Sequence, residues 1–257
     1  MGTALITGAT SGLGEEFAWQ LASAGHDLVL VARREAVLRD LAERIAQIAG
    51  VHVEVIVADL STPEGLEAVT RRLDMPGSPS AHPIGLLINN AGFGLGRAFP
   101  DNDLDAELNG LDVMVRAVMV LTHHAVRWMR ARGRGAILNV ASVASRTGAG
   151  TYSAHKAWVV AFTEGLSEEL RGTGVTATAV CPGPVRTAFF EKAGVDMTRT
   201  PEAFIAEPEQ VVTEALAAVR DARVLVTPTP VYKVAMAAMK LLPRSAVRVA
   251  MRGVPHM

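Results

Sequence analysis

The stretch Thr7-Gly8-Ala9-Thr10-Ser11-Gly12-Leu13-Gly14 lies between an apolar run, Thr3–Thr7, and a segment with helical spacing. Gly8 permits a tight turn, Gly12 lets the backbone approach a pyrophosphate, and Gly14 allows a helix to pack closely on a strand. The first turn of the following helix offers free N–H groups, which bind phosphate. At a strand-to-helix junction this spacing predicts a nucleotide-binding loop, and the alternative of an ordinary glycine turn fits the position less well.

The same alternation of apolar runs and helical patterns continues along the chain. The runs predicted to be strands are Thr3–Thr7, Leu28–Ala32, Val53–Val57, Leu86–Asn89, Ala136–Val140, Thr176–Val180 and Val224–Thr227. The segments predicted to be helices are Gly12–Ala24, Glu35–Ile48, Pro63–Arg72, Leu104–Arg132, Tyr152–Leu170 and Pro208–Arg220. The strand runs are almost wholly apolar, as strands covered by helices on both faces require. The sequence therefore predicts an α/β fold with one doubly wound parallel sheet of the Rossmann type.

Composition favours a single domain that acts on small molecules. The chain has 257 residues, 49% of them hydrophobic, a formal net charge of −1 and one cysteine. This near-neutral balance lacks the basic surplus of a nucleic-acid-binding protein, and a single cysteine allows no internal disulfide. The first residues already read as a strand and no apolar run is long enough to span a bilayer, so we expect a cytoplasmic protein. Residues 1–257 are expected to form one domain, with a variable substrate segment at about 188–207 and a basic tail at about 228–257.

Further motifs follow the later predicted strands. Asp59 follows the third strand, Asn89-Asn90-Ala91-Gly92 the fourth, and Pro182-Gly183-Pro184-Val185-Arg186-Thr187 the sixth. With the Gly-x-x-x-Gly-x-Gly loop, these resemble the short-chain dehydrogenase/reductase family from Gly2 to about Thr187. The resemblance implies a nicotinamide cofactor with Asp59 near adenine and the proline-rich loop near nicotinamide. The residues that it assigns to cofactor binding are Gly8, Thr10, Ser11, Gly12, Leu13, Gly14, Asp59, Leu60, Asn90, Ala91, Gly92, Tyr152, Lys156, Pro182, Gly183, Val185 and Thr187.

The end of the second strand indicates which nicotinamide cofactor is used. In such folds an acidic residue at this point binds the ribose 2′-hydroxyl, whereas a cation accommodates a 2′-phosphate. Here the strand ends Val31-Ala32-Arg33-Arg34, with no acid. The guanidinium of Arg33 can meet a phosphate in a bidentate fork, with Arg34 in support, so we predict NADP(H). Dual specificity, or two arginines that only cover a surface loop, are the alternatives.

Tyr152 and Lys156 are four residues apart in a predicted helix, so their side chains share a face. A free phenol has a pKa near 10, too high for efficient proton exchange at neutral pH. An adjacent ammonium stabilises the phenolate, so we expect Lys156 to lower the pKa of Tyr152. The pair predicts acid/base chemistry on a carbonyl or secondary alcohol, and a packing role for Tyr152 is the alternative.

Ser142 follows the fifth strand at the edge of the sheet where ligands of such folds bind. Its hydroxyl can donate to a carbonyl oxygen held near Tyr152, whereas the alternative is a serine that caps the turn. Ser145 is a second candidate. The interval from Ser142 to Tyr152 is shorter than is typical of the family, so we expect a tight intervening loop with turns at Gly148 and Gly150.

Met114 is the main departure from the family pattern. It falls where the family usually has an asparagine thought to bind a proton-relay water, and a thioether is only a weak acceptor. Asn109, Asp112 and Arg116 lie nearby, and none is assigned as a substitute. Two hypotheses therefore stand: an NADP(H)-dependent oxidoreductase acting on a small, lipophilic substrate, and an NADP-binding sensor or scaffold with weak or no turnover.

Several other residues are given structural roles. His123 and His124 are adjacent and do not share a helix face, His155 is expected at the surface or a subunit contact, and Cys181 as a small buried hydrophobe. No metal site is predicted, because no set of His, Cys and acidic residues has ligand spacing. The residues predicted to form an apolar substrate pocket are Phe93, Leu95, Phe189, Phe190 and the segment up to Phe204.

Two predictions concern contacts with other surfaces. Four bases near the C-terminus recur at intervals of four, namely Lys240, Arg244, Arg248 and Arg252. If Pro243 does not break the helix, they form a basic stripe for weak contact with an anionic membrane, and the favoured alternative is a solvated face over a subunit interface. By resemblance to the family, the protein is expected to be a homodimer or homotetramer assembled through its long helices.

Overall fold

The computed structural model describes residues 2–75, 82–148, 150–194 and 201–250. Its seven strands form one parallel sheet in the order β3-β2-β1-β4-β5-β6-β7. The strands are β1 (Thr3–Thr7), β2 (Asp27–Ala32), β3 (Val53–Val57), β4 (Ile84–Asn89), β5 (Gly135–Val140), β6 (Val175–Val180) and β7 (Leu225–Val226). Each lies within two residues of its predicted bounds. Because the strand order reverses between β1 and β4, their carboxyl ends open a crevice where ligands of such sheets bind.

Helices cover both faces of the sheet. They are α1 (Gly12–Ser23), α2 (Glu35–Ala49), α3 (Pro63–Leu73), α4 (Leu104–Leu111), α5 (Ala117–Ala131), α6 (Gly150–Glu169), α7 (Phe189–Lys192), α8 (Pro208–Arg220), α9 (Pro230–Leu241) and α10 (Arg244–Ala250). Helices α1, α2 and α8 bury their apolar side chains against one face, and α3, α5 and α6 against the other. The predicted α/β fold with a doubly wound parallel sheet in a single domain is therefore confirmed.

The predicted helix Leu104–Arg132 is wrong in its interior. Helix α4 ends at Leu111, the five residues Asp112–Arg116 form a π-helical turn, and α5 then continues to Ala131. No proline breaks this segment, so its hydrophobic period gives no sign of the wider turn. Such turns within helices are frequent near functional sites, and this one contains the buried Met114.

The connection before α6 is short. Val143–Arg146 forms a 3₁₀ helix, and the Ser142 hydroxyl accepts a hydrogen bond from the backbone N–H of Ala144 at 3.1 Å. Gly150 has a φ of 74°, in the left-handed region that favours glycine. The chain thus reaches Tyr152 within the first turn of α6, which begins two residues before its predicted start.

The C-terminal segment does not form the continuous helix on which the basic stripe depends. Leu242 is extended before Pro243, as residues preceding proline usually are, and separates α9 from α10. Arg252 lies outside the described residues. Across the described part of the chain, no helix combines the length and apolar character needed to span a bilayer.

Candidate active site

A cavity of about 780 Å³ lies at the carboxyl edge of the sheet. Of the predicted site residues, those that line it are Gly8, Thr10, Ser11, Gly12, Leu13, Arg33, Arg34, Asp59, Leu60, Asn90, Ala91, Gly92, Ser142, Tyr152, Lys156, Pro182, Gly183, Val185 and Thr187. Gly14 lies behind the wall, where a Cβ would be 2.2 Å from the carbonyl oxygen of Gly8. The structure therefore brings the predicted cofactor and catalytic residues around one space.

The glycine loop forms one end of the cavity. Gly8 and Gly12 have φ values of 67° and 56°, which β-carbon-bearing residues rarely adopt. Thr7 Oγ1 accepts hydrogen bonds from the backbone N–H groups of Asn90 and Ala91, both at 3.0 Å. Asn90 Nδ2 donates to the Thr7 carbonyl oxygen at 2.9 Å, so β1 and the segment after β4 are joined beside the loop. The half-buried backbone at Gly12, which lines the cavity, and the N-terminus of α1 fit a pyrophosphate.

Two arginines stand at the same end and differ in their contacts. Arg33 is largely exposed, and its Nη1 lies 3.6 Å from Asp59 Oδ2. Arg34 instead donates from Nη2 to the Thr10 carbonyl oxygen at 2.8 Å and to Thr10 Oγ1 at 3.1 Å. Arg34 therefore braces the glycine loop, whereas Arg33 leaves its guanidinium available to a ligand.

Asp59 is held as a carboxylate. Its Oδ1 accepts from the backbone N–H of Ser61 at 3.0 Å and from Ser61 Oγ at 2.8 Å. Burial acts to raise its pKa, but the hydrogen bonds from Ser61 and the Arg33 guanidinium outweigh it and lower the pKa below the usual range. The cavity thus has an ion pair, formed by Asp59 and Arg33, beside the glycine loop.

A buried ladder of polar side chains supports the opposite end. Asn89 Nδ2 donates to Asn139 Oδ1 at 2.8 Å and to Thr122 Oγ1 at 3.0 Å. Asn139 Nδ2 donates in turn to Thr163 Oγ1 at 2.9 Å, and Thr163 Oγ1 donates to the Val159 carbonyl oxygen. These bonds tie β4 and β5 to α5 and α6. They fix the position of the helix that carries Tyr152 and Lys156.

Tyr152 and Lys156 extend from α6 into the cavity and are 5% and 4% exposed. Lys156 Nζ donates to the Val140 carbonyl oxygen at 2.7 Å and lies 5.7 Å from the centroid of the Tyr152 ring. The Ser142 hydroxyl lies near enough to that of Tyr152 to act on its pKa, and it also accepts a hydrogen bond from the backbone N–H of Ala144 at 3.1 Å. Two hydroxyls and an amine thus lie along the same cavity wall, an arrangement suited to general acid/base chemistry.

The pKa of Tyr152 does not follow the sequence argument. Burial raises it to about 12, and the hydrogen bond to Ser142 lowers it only in part. Burial also lowers the pKa of Lys156 to about 8. The expectation that Lys156 lowers the tyrosine pKa is wrong for the chain's own residues, because removal of the phenol from water dominates and only the Ser142 hydrogen bond opposes it. At neutral pH Tyr152 is a phenol with a proton to give.

Known proteins share this arrangement of motifs. The profile described as short chain dehydrogenase matches residues 2–197. The chain belongs to the short-chain dehydrogenase family. It is therefore an NAD(P)-dependent oxidoreductase that acts on CH–OH groups, which confirms the predicted enzyme class.

Individual relatives of this dehydrogenase differ in what they act on. Sulfoacetaldehyde reductase 2 of Chromohalobacter salexigens is 37% identical over 191 residues, which are 72% of this chain and 73% of the relative. Mouse (Mus musculus) 17-beta-hydroxysteroid dehydrogenase type 3 is 30% identical over 216 residues, 82% of this chain and 68% of the relative. A short-chain dehydrogenase from Sphingobium yanoikuyae, solved in complex with NADPH, is 33% identical with a TM-score of 0.85, and the match covers 99% of this chain and 96% of that one.

The two candidate serines of the dehydrogenase are separated by the fold. Ser142 lines the cavity, whereas Ser145 is buried outside its lining. The 3₁₀ turn after Ser142 directs the two hydroxyls differently, although both lie in the same loop. Ser142 is therefore the serine that can contact a ligand held beside Tyr152.

Met114 packs beside the buried amine. Its Cγ and Sδ lie 3.4 and 3.5 Å from the position of a Cβ placed on Gly92, and Lys156 Nζ lies 3.5 Å from the same point. Apolar packing here adds to the removal of water that lowers the pKa of Lys156. Asn109, Asp112 and Arg116 do not line the cavity, and Arg116 pairs with Asp112 at 3.1 Å.

The expectation that His155 lies at the surface or a subunit contact is wrong, because it is 8% exposed within the single chain. Burial lowers its pKa, Glu107 acts to raise it, and Lys156 acts to lower it further. Glu107 is also buried and accepts hydrogen bonds from Asn102 Nδ2 at 2.8 Å and Thr151 Oγ1 at 2.5 Å. No sequence spacing predicts that Glu107 is buried, because its partner Thr151 is 44 positions later in the chain.

Other predictions about single residues have mixed outcomes. Cys181 is buried, and burial raises its pKa to about 11, which suits a packing role. His124 Nδ1 lies 2.9 Å from both carboxylate oxygens of Asp74. Within the described ranges, no group of three or more His, Cys, Asp and Glu residues is arranged to hold a metal ion.

The apolar end of the cavity is partly as predicted. Phe93, Phe189 and Phe190 line it, and Leu95 does not. Sequence reasoning missed Tyr232, which reaches the cavity from α9. Nothing in the sequence marks it, because it stands 76 positions after Lys156, where the family profile no longer matches.

Proposed function

We propose that this enzyme is an NADP(H)-dependent reductase of neutral, lipophilic carbonyl compounds, with Ser142, Tyr152 and Lys156 as its catalytic residues. The observation that carries the proposal is the convergence of these three side chains at one end of a cavity whose other end is flanked by Arg33. The arrangement provides a cation for a 2′-phosphate and an acid for a carbonyl oxygen.

Different parts of the cavity wall would bind different parts of the cofactor. The loop from Gly8 to Gly14 would hold the pyrophosphate and Arg33 the 2′-phosphate. By family resemblance, Asp59 and Leu60 would flank adenine. Further contacts would come from Asn90, Ala91, Gly92, Pro182, Gly183, Val185 and Thr187, and Lys156 and Tyr152 would bind the nicotinamide ribose. The bound nicotinamide supplies or accepts hydride.

The chain's own residues manage the substrate oxygen. Ser142 and Tyr152 bind the carbonyl oxygen by hydrogen bonds, which polarises the carbonyl group and offsets the negative charge that develops. As hydride adds to the carbonyl carbon, the Tyr152 hydroxyl gives its proton to this oxygen, and an alcohol forms. The Lys156 ammonium stabilises the resulting phenolate, which regains a proton from solvent. Oxidation of an alcohol runs through the same steps in reverse.

The substrate end of the cavity favours an apolar compound. Phe93, Phe189 and Phe190 line it, and Phe189 lies 5.8 Å from Tyr152, centroid to centroid. The cationic residues in the described lining are Arg33, Arg34 and Lys156, and none of them lies among these phenylalanines. An anionic aldehyde such as that named for the Chromohalobacter relative would lack a partner here. A steroid-like ketone, of the kind that the name of the mouse relative suggests, fits better.

Turnover by Tyr152 tests the proposal. NADPH consumption is followed with aromatic, alicyclic and long-chain ketones for the wild type, Tyr152→Phe and Ser142→Ala. We expect Tyr152→Phe to lower kcat by about 10²- to 10⁴-fold, because the proton donor is removed. NADPH should still bind, with an affinity lowered by about 10-fold at most through the lost contact of the hydroxyl with the nicotinamide ribose. Ser145→Ala is the matched control for Ser142→Ala and should leave turnover nearly unchanged.

Two outcomes would contradict the proposal. Undiminished turnover by Tyr152→Phe would remove the acid from the mechanism. NADPH binding by the wild type without reduction of any carbonyl would favour the sensor hypothesis instead.

We also propose that copies of the enzyme associate through α4 and α5. Leu104, Leu108 and Leu111 recur at intervals of four and three, so they share one face of α4, and all three are exposed together with Met119. Such a stripe suits a self-complementary interface. Sedimentation should show a dimer or tetramer for the wild type and a smaller species for Leu108→Asp, and a monomeric wild type would refute this.

A further inference from the structure

Helix α9 contributes Tyr232 to the cavity that holds Tyr152. Its ring lies against Gly183, where an added Cβ would be only 2.2 Å from Tyr232 Cε2. The absence of a side chain at Gly183 is therefore what admits the ring. Tyr232 thus packs on the loop that follows β6, on the same wall as Val185 and Thr187.

The tyrosine hydroxyl is already bonded within the protein. It donates to the Phe204 carbonyl oxygen at 3.0 Å, and the two rings meet edge to face with centroids 6.5 Å apart. Because the hydroxyl is engaged, the part of Tyr232 available to the cavity is the apolar ring. The side chain closes a gap between α9 and the segment that contains Phe204.

The segments that carry Tyr232 and Phe204 are both bonded to neighbouring elements. On α9, Lys233 Nζ pairs with Glu214 Oε2 at 2.8 Å, and the backbone N–H of Thr229 donates to Glu214 Oε1 at 3.3 Å. Thr229 has a φ of 68°, a conformation that a β-branched residue rarely adopts. These bonds to α8 hold the start of α9 in place even though the backbone there is strained.

The segment that carries Phe204 is tied to the loop after β6. The Arg186 guanidinium pairs with Glu202 and with Glu207, the latter at 2.7 Å. The backbone N–H of Ala206 donates to the Pro184 carbonyl oxygen at 2.9 Å. The chain on both sides of Phe204 is therefore bonded to the loop after β6. The ring of Tyr232 stands as a supported wall and not as a loose surface side chain.

We propose that Tyr232 is a specificity-determining residue that limits the size of the carbonyl compound accepted beside Tyr152. This inference rests on the proposed reductase function. An apolar wall discriminates by volume, so a substituent that meets the ring is excluded, and removal of the ring opens space toward α9. A small ketone, which does not reach the wall, loses little when the ring is absent.

The test compares ketones that share the same reacting carbonyl group and differ in the size of their substituents, from acetone-sized compounds to polycyclic ketones. Wild type, Tyr232→Ala, Tyr232→Leu and Tyr232→Phe are assayed with NADPH for kcat and KM separately. Val231→Ala is the matched control, because Val231 is the preceding residue of α9, is exposed and does not line the cavity. Retention of the fold is checked by circular dichroism and Tm.

We expect Tyr232→Ala and Tyr232→Leu to raise the ratio of kcat/KM for bulky ketones to kcat/KM for small ketones by about 10-fold or more, mainly because KM for the bulky ketones falls. Tyr232→Phe keeps the ring and should change the ratio by less than about 3-fold, and Val231→Ala should leave it unchanged. An unchanged ratio in folded Tyr232→Ala and Tyr232→Leu would overturn the inference, as would an equal shift in Val231→Ala.

Binding is measured independently of chemistry. In the presence of NADPH, the Tm increase caused by each ketone should grow with ketone size in Tyr232→Ala and reach its limit earlier in the wild type. If the wild type binds ketones but reduces none, the proposed function is wrong, and the Tm data still test whether Tyr232 limits ketone size. If the Tm increase depends on ketone size in the same way in both proteins, the role of Tyr232 is wrong and the proposed function is unaffected.

Discussion

Replacement of Arg33 by alanine is the sharpest test of cofactor choice. Arg33 and Arg34 are neighbours in sequence, but only Arg34 is bonded to the glycine loop, through Thr10. Arg33 is 62% exposed, and its ion pair with Asp59 is long at 3.6 Å. We therefore expect the two alanine variants to behave differently, since Arg33 can serve the 2′-phosphate while Arg34 supports the loop that both cofactors need.

The size of the Arg33 effect follows from its contacts. A hydrogen bond between a guanidinium and a phosphate contributes about 1.5–3 kcal/mol, and the exposure of Arg33 places it toward the lower end. At about 1.4 kcal/mol per factor of ten, Arg33→Ala should raise the Kd for NADPH by roughly 10- to 30-fold. The carboxylate of Asp59, left without its partner, adds repulsion toward the 2′-phosphate. The Kd for NADH should change by less than about 3-fold, because a 2′-hydroxyl carries no charge.

Fluorescence titration of the two reduced cofactors measures these constants. Arg34→Ala should weaken NADPH and NADH by similar factors, which makes it the matched control. Higher salt should shrink the NADPH advantage of the wild type, since the contact is exposed to solvent. Equal losses for both cofactors in Arg33→Ala, or an NADPH-selective loss in Arg34→Ala, would refute the assignment.

Three further predictions concern stability, and each is read from denaturant unfolding. Gly14→Ala places a Cβ against the Gly8 carbonyl and should cost about 2–4 kcal/mol, whereas Gly165→Ala, in α6 with open space around it, should stabilise by about 0.5–1 kcal/mol; similar effects of both would contradict the packing argument. Asn139→Leu leaves the buried Asn89 and Thr163 without their shared partner and should cost about 2–4 kcal/mol, so a neutral result would show that the ladder is dispensable. Lys156 has a pKa lowered to about 8, so with rising pH the folded state releases this proton before the unfolded state does. The free energy of unfolding of the wild type should therefore rise by about 2 kcal/mol between pH 8 and 10 relative to that of Lys156→Met, and parallel pH dependence in the two proteins would contradict the lowered pKa.

Much of the fold and part of the site could be predicted from local sequence. The glycine loop, the apolar strand runs and the four-residue interval between Tyr152 and Lys156 are patterns whose meaning depends on neighbouring residues. Each predicted strand therefore lies close to its observed position, and the predicted lining residues surround one cavity. Arg33 and Arg34 were both visible at the strand end, but their different contacts were not.

Features that depend on packing between distant segments could not be predicted in this way. The π-helical turn at Met114 interrupts a segment whose period predicts a regular helix. His155 follows a surface-like pattern and is nevertheless buried near Glu107. In both cases the side chain's surroundings come from another part of the chain, which periodicity does not describe.

By itself, the sequence of this dehydrogenase determined the parallel sheet, the glycine turn after β1 and the four-residue spacing of Tyr152 and Lys156, because backbone freedom and side-chain period are local properties. The tertiary structure alone decided that Tyr232 lines the cavity and that the pKa of Tyr152 rises to about 12. The physical reason is that contact across the fold and removal from water depend on which segments fold against each other, and no short stretch of sequence contains that information.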